Sequence, residues 1–293
     1  MATFNDWLEG ARLRTLPAAV APVLLGIGAA HYLGGFSAVR SLLALGVALA
    51  LQIGVNFSND YSDGVRGTDA QRVGPPRLTG GGKTSPRVVL AAALGCFALA
   101  GVLGLILLAI SGQWLLLIPG VLAVIAAWYY TGGKMPYGYL GIGISELFVF
   151  VFFGLMATVG TTWVQTASAP WWLWVAASGT GLLSVALLFV NNIRDIPTDT
   201  KSGKRTLPVR MGDRVSRIVY VWLLGIGTLL TGMGLAETRF MIPYLIAFLV
   251  PMILISRPVQ RGAKGRDLLK VLRNTGLLTL FTAVFVCVAL VVS

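Results

Sequence analysis

The sequence predicts an all-α, polytopic membrane protein of about nine transmembrane helices, and three observations carry that expectation. Apolar residues fill 56% of the 293 positions and charged residues only 12%, about half the charged share of soluble domains. With a mean hydropathy of +0.80, the chain holds more apolar surface than a soluble core absorbs. Apolar runs of roughly 20 residues recur, each long enough to cross about 30 Å of hydrocarbon as a helix. The basic residues, finally, fall almost entirely in alternate connections. The runs do not alternate apolar and polar as barrel strands would.

Taken in order, the first run, about 15–34, follows the amphipathic segment "MATFNDWLEGARLR", which does not read as a cleaved signal. It ends near His31, the only histidine, so neither histidine catalysis nor a histidine metal site is expected. The second, 37–58, opens into "NFSNDYSDGVRGTD" (56–69). The third and fourth, 87–110 and 113–130, are joined by a short connection, and the fourth ends in "YYTGGK". The fifth, 138–160, contains Glu146, and the sixth, 170–191, opens into "NNIRDIPTDTKSGKRTLPVR". Runs 215–236 and 239–256, a basic segment 257–270 and a last run, 271–292, complete the chain. Cys96 and Cys287 fall inside runs and read as small apolar residues.

Of the 23 Lys and Arg residues, 21 fall on one side if the N-terminus is cytoplasmic, leaving only Arg40 and Arg239 outside. That asymmetry sets the N-terminus inside and the C-terminus outside. The net charge of +12 therefore reports topology and calls for no nucleic-acid partner.

Acids are scarce, only 11 in all, yet they gather in the two long inner loops. Asn56-x3-Asp60 and Asn191-x3-Asp195 stand 135 residues apart. This spacing suggests one domain, 1–293, built from a tandem four-helix repeat (about 15–130 and 138–256) and a ninth helix. Residues at i, i+4 and i+7 share a helical face, so Asn56, Asp60 and Asp63 are expected to point together. Asp195 and Asp199 stack similarly below Asn191, with Pro197 limiting the regularity of that turn. Acids near hydrocarbon are costly and mark function. Facing carboxylate clusters suit Mg²⁺, which bridges protein acids to substrate phosphates. Arg66, Lys134, Lys201, Lys204 and Arg205 supply cations for such an anion, and Tyr130 shares the inner face with Lys134. "GGGKT" (80–84) fails as a P-loop because Arg77 stands where glycine is needed. "DYSDGVR" starts like a CDP-alcohol phosphotransferase motif but continues Gly67-Thr68. An ion-coupled transporter would place its acids near the bilayer midplane.

In these residues the chain resembles the UbiA superfamily of intramembrane aromatic prenyltransferases, and within it the branch acting on 1,4-dihydroxy-2-naphthoate in menaquinone biosynthesis. "NDYSDGVRGTD" with "RVGPPRLTGGG" looks like that family's first acidic motif, and "NNIRDIPTDTKSGKRTLPVRMG" like its second. "RLRTLPAAVAPVLLG" and "KMPYGYLGIGISELFVFVFFG" are similar to its first and fifth helical segments, so the likeness covers nearly the whole chain. Asp63 falls one residue earlier than the commonest spacing, leaving either Asp63 or Asp69 to complete the first metal site.

The resemblance implies an enzyme that moves a polyprenyl group from polyprenyl diphosphate to 1,4-dihydroxy-2-naphthoate, with 4-hydroxybenzoate as the alternative acceptor. It further implies loss of diphosphate and CO₂. Two Mg²⁺ ions would be held by Asp60 together with Asp63 or Asp69 on one side and by Asp195 and Asp199 on the other. Asn56 and Asn191 would orient ligands, and Arg66, Tyr130, Lys134 and Lys201 would bind the diphosphate. Arg14 or Arg12 would hold the acceptor's carboxylate, and Glu146 either packs or meets the acceptor's hydroxyls. The tail would lie among the helices, within a bacterial plasma membrane and with the site facing the cytoplasm.

Overall fold

A computed structural model describes residues 2–67 and 77–293. Among them there is no strand, and every one of the nine apolar runs forms a helix. A short amphipathic helix, α1 (Phe4–Ala11), is followed by α2 (Pro17–Tyr32), α3 (Ala38–Arg66), α4 (Pro86–Ser111) and the short α5 (Leu117–Tyr129). One continuous rod then comprises α6 (Ile144–Val149), a π-helical turn (Phe150–Met156) and α7 (Ala157–Thr166). The chain continues through α8 (Trp171–Lys201), the short α9 (Leu207–Met211), α10 (Asp213–Gly232), α11 (Met241–Gln260) and α12 (Arg266–Val291). Among the described residues, seven of these helices, the α6–α7 rod counted as one, are long and apolar enough to cross a bilayer. The α1–α2 pair, bent by 54°, makes an eighth if it is counted as one span, and the apolar helix at 114–129 is shorter than a full span.

The fifth run starts later than its hydropathy suggests. Residues 137–139 make a single 3-10 turn and 140–143 an irregular bend, with Gly141 and Gly143 at positive φ and the α-helix beginning at Ile144. Two helices, by contrast, outrun their apolar stretches. α3 continues eight residues past position 58 and α8 ten past position 191, so both acidic motifs ride on helices. α8 also runs through Pro197 without a break, although proline withholds the N–H that would bond the carbonyl four residues back.

α8 is the central helix. Of its most apolar stretch 72% is buried, against 22–50% for the other long spans. Leu183, Phe189, Val190 and Ile193 pack with Tyr220 and Leu224 of α10 and Leu268 and Val271 of α12. Trp172, Leu173 and Ala176 pack with Ala21 and Leu25 of α2 and Val286 of α12. The π-helical turn meets α8 where both lack side chains: a Cβ on Gly154 would lie 2.4 Å from the Cα of Gly181. That backbone contact is what lets the α6–α7 rod lie against the central helix.

Bonds between loops define two ends of the bundle. At one, the Arg40 guanidinium donates to the carbonyls of Ile110 (2.9 Å), Val164 (3.1 Å) and Gln165 (3.3 Å). At the other, Arg66 donates to the carbonyls of Thr131 and Gly133, and Arg217 to those of Val259 (2.9 Å) and Ala263 (2.9 Å). The second end carries the basic loops and both acidic motifs.

Candidate active site

The polar end of α3 presents two faces, and packing decides which one looks inward. On the first, the Asn56 amide donates to Ala11 O (2.9 Å) and Thr15 Oγ1 (3.2 Å), tying α3 to the bend between α1 and α2. Asp60, fully buried, accepts from the amides of Leu78 (2.9 Å) and Thr79 (2.8 Å), one on each oxygen. It thereby anchors the turn 77–84, whose Leu78 carbonyl accepts from Lys83 N (3.0 Å) and Thr84 N (3.2 Å). The same turn reaches α1 through Lys83 and Asp6, a contact that holds the lysine ammonium above its ordinary pKa.

The second face, Asn59 and Asp63, points into a small polar chamber of about 50 Å³. Asn59 Oδ1 accepts from the Thr131 hydroxyl (2.7 Å) and Asp63 Oδ1 from the Tyr139 hydroxyl (2.6 Å). An Arg77 terminal nitrogen lies 3.6 Å from Asp63 Oδ2. Opposite, α8 contributes Asn191, Asn192, Asp195, Thr198 and Asp199. Arg194 grips Asp195 through Nε (2.7 Å) and Nη2 (2.6 Å), and Nη2 also donates to Asn191 Oδ1 (3.0 Å). Arg12, Tyr130 and Lys204 complete the wall, and Lys204 and Arg66 stand 5.0 and 5.4 Å from the centre of the Tyr139 ring.

The sequence expectation is thereby corrected in register. Asn56, Asp60 and Asp63 do not point together: Asp63 faces the chamber, while Asp60 is turned to the 77–84 turn and Asn56 to the α1–α2 bend. The motif that does face it is Asn59-x3-Asp63, and its partner is Asn191-x3-Asp195. Both offsets are 132 residues rather than 135.

Behind the chamber, and sharing Arg12, Asn59, Arg77, Tyr130 and Asn191 with it, opens an apolar cavity of about 650 Å³. Its deep wall includes Val23, Ala44, Leu107 and Val164. Near the chamber runs a chain of edge-on and tilted rings: Tyr130 to Tyr137 (5.6 Å), Tyr137 to Phe148 (5.1 Å) and Phe148 to Phe152 (5.7 Å).

Of the other expected residues, Asp195, Asp199, Asn191 and Tyr130 line the chamber. Lys134 and Lys201 are exposed and line neither cavity, and Arg66 is spent on loop carbonyls. Arg14 is exposed and borders only the apolar cavity, whereas Arg12, held at φ 54°, borders both. Glu146 borders neither, and its buried Oε2 has no hydrogen-bond partner among the described residues. Asp69 lies outside the described residues. Sequence reasoning gave no role to Asn59, Arg77 or Arg194, although each lies within or beside the two acidic motifs, nor to Tyr139, which lies far from both in the segment before α6.

Among the described residues no three acids, imidazoles or thiols form a ready-made cation cage. The chamber's donors are nonetheless the oxygens Mg²⁺ prefers: carboxylates of Asp63, Asp195 and Asp199 and amides of Asn59, Asn191 and Asn192. Mg²⁺ commonly takes one or two carboxylates and completes its shell with water and substrate phosphate. The donor set fits an ion that arrives with an anion.

Residues 19–273 match the model of the UbiA prenyltransferase family. A 1,4-dihydroxy-2-naphthoate octaprenyltransferase of Mycobacterium tuberculosis is 47% identical over 291 residues, covering 99% of this chain and 98% of that protein. One from Escherichia coli is 39% identical over 224 residues, covering 74% of this chain and 72% of its own. Among solved structures, a UbiA homolog from Archaeoglobus fulgidus bound to GPP and Mg²⁺ superposes with a TM-score of 0.71 at 15% identity, covering 98% of this chain and 100% of that one.

Proposed function

Because the chain belongs to the UbiA prenyltransferase family, we propose that it transfers a polyprenyl group from polyprenyl diphosphate to 1,4-dihydroxy-2-naphthoate, releasing diphosphate and CO₂ and yielding demethylmenaquinol. One observation carries this reading: a chamber of carboxylates and cations opens directly into a greasy cavity of about 650 Å³. An amphiphile with a diphosphate head and an isoprenoid tail fits both at once. The relatives named above act, by their names, on that naphthoate.

Asp63, Asp195 and Asp199, with Asn59 and Asn191, would hold Mg²⁺, two ions in our reading, which when bound stabilises the leaving diphosphate as a Lewis acid. Arg77, Lys204 and Arg12 neutralise the same group. The allylic C–O bond breaks with both electrons passing to diphosphate. The rings of Tyr130, Tyr137, Phe148 and Phe152 face the resulting cation, and the apolar wall keeps water from it. The ring carbon bearing the acceptor's carboxylate attacks, forming the C–C bond. Electrons from the C–CO₂ bond then restore aromaticity, so no protein base is needed at that carbon. The site belongs, in this reading, on the cytoplasmic face of a bacterial plasma membrane. The recurrence of Asn-x3-Asp at the ends of α3 and α8 supports a tandem repeat.

Purified protein in lipid nanodiscs, given polyprenyl diphosphate and the naphthoate, is expected to release diphosphate with Mg²⁺ and to stop in EDTA. Equal release in EDTA would reject the metal-assisted reading.

A further inference from the structure

Asp63 and Asp195 of the chamber already carry a guanidinium where a divalent ion would bind. Arg194 and Asp195 are consecutive on α8, and neighbouring side chains on a helix diverge by about 100°. The arginine must therefore curl back along its own helix to close on Asp195. It does so with a full fork: Nε at 2.7 Å, Nη2 at 2.6 Å, and Nη2 again on Asn191 Oδ1 at 3.0 Å. The pair is sunk in protein, with side chains 4% and 11% exposed. Arg77 stands in the same relation to Asp63, more loosely, at 3.6 Å.

The arrangement has opposite consequences for an empty and a loaded site. Without cations, Asp63, Asp195 and Asp199 would repel one another in a poorly solvated chamber. The arginines prevent this, but they cover the atoms an ion needs. A divalent ion entering alone meets Arg12, Arg77 and Lys204 beside three acids, one of them already held by Arg194. A diphosphate entering with it offers the guanidiniums other oxygens, for which the planar fork is equally suited. Because the Arg194 grip is local to one helix, side-chain rotation alone releases it.

Resting on the metal reading above, we propose that Arg194 is a positioning residue that holds Asp195 and Asn191 closed, making divalent-ion binding conditional on the prenyl diphosphate. Linkage makes the coupling reciprocal: whatever the diphosphate does to ion affinity, the ion does to diphosphate affinity.

Mn²⁺ binding to the full-length protein, read by electron paramagnetic resonance with and without the inert analogue geranyl S-thiolodiphosphate, tests this without turnover. In the wild type the analogue is expected to tighten Mn²⁺ binding roughly tenfold or more. Arg194→Met is expected to bind Mn²⁺ alone about tenfold more tightly than the wild type does, and to gain little from the analogue. A merely structural arginine would give the reverse, weaker binding. Arg194→Lys keeps the charge without the fork and should fall between the two, which keeps the test open if the Met variant does not fold. Mn²⁺ affinity in either variant equal to or below that of the wild type, measured without analogue, would overturn the proposal. Absence of Mn²⁺ binding in the wild type even with analogue would instead remove the metal reading itself, and the proposal with it.

Discussion

Asp63→Asn and Asp195→Asn should each abolish prenyl transfer, by about a thousandfold or more, while leaving a folded protein in the membrane. Asn preserves shape, and at position 63 it still accepts the Tyr139 hydroxyl bonded at 2.6 Å. It removes the charge that a divalent ion needs. Several kcal/mol of leaving-group stabilisation are lost, and about 4 kcal/mol corresponds to roughly a thousandfold in rate. Asp60→Asn is the control that separates the two registers of the motif. One of the two amides bonded at 2.9 and 2.8 Å would lose its acceptor in a fully buried place. The primary effect there should be a lower melting temperature, from loosening of the 77–84 turn. Turnover measured beside thermal unfolding of the three variants decides. Wild-type turnover in Asp63→Asn would restore Asn56-x3-Asp60 as the working motif.

Arg77→Ala and Lys204→Ala should each raise KM for the prenyl diphosphate about ten- to a hundredfold, the cost of one charge-assisted hydrogen bond of about 1.5–3 kcal/mol. Lys134→Ala and Lys201→Ala, which remove exposed ammonium groups outside both cavities, should change it less than about twofold. All four positions are cationic and lie at one end of the bundle, so nonspecific attraction to the substrate predicts equal effects. Only proximity to the chamber predicts the split. Initial rates at varied prenyl diphosphate and saturating acceptor measure it, and a shift in Lys134→Ala as large as in Lys204→Ala would contradict the geometry.

The difference between what the residues revealed in advance and what required the fold has physical causes. Hydropathy placed a helix in each of the nine apolar runs because transfer into hydrocarbon depends on composition over about 20 residues, not on neighbours. It missed where α3 and α8 end, since an apolar run marks the part of a helix suited to lipid and is silent about a polar continuation. The acids were legible as a cluster because unpaired carboxylates beside hydrocarbon are so costly. Their register was not. On one helix Asn56 and Asp60 share a face, as do Asn59 and Asp63, and the choice was made by Ala11, Thr15, Leu78 and Thr79, distant in sequence. Lys134 and Lys201 looked as suitable as Lys204 for the same reason, because charge is written in the sequence whereas burial is not. Arg77 and Arg194 read as topology markers until the fold set them against Asp63 and Asp195.

Transfer of an isoprenoid to the carboxyl-bearing carbon of 1,4-dihydroxy-2-naphthoate is tested most directly by the fate of that carboxyl group. Purified protein supplied with Mg²⁺, a polyprenyl diphosphate and acceptor labelled at the carboxyl carbon should release the label as CO₂, one for each diphosphate, and give an unlabelled prenylated product. Label retained in the prenylated product would contradict it.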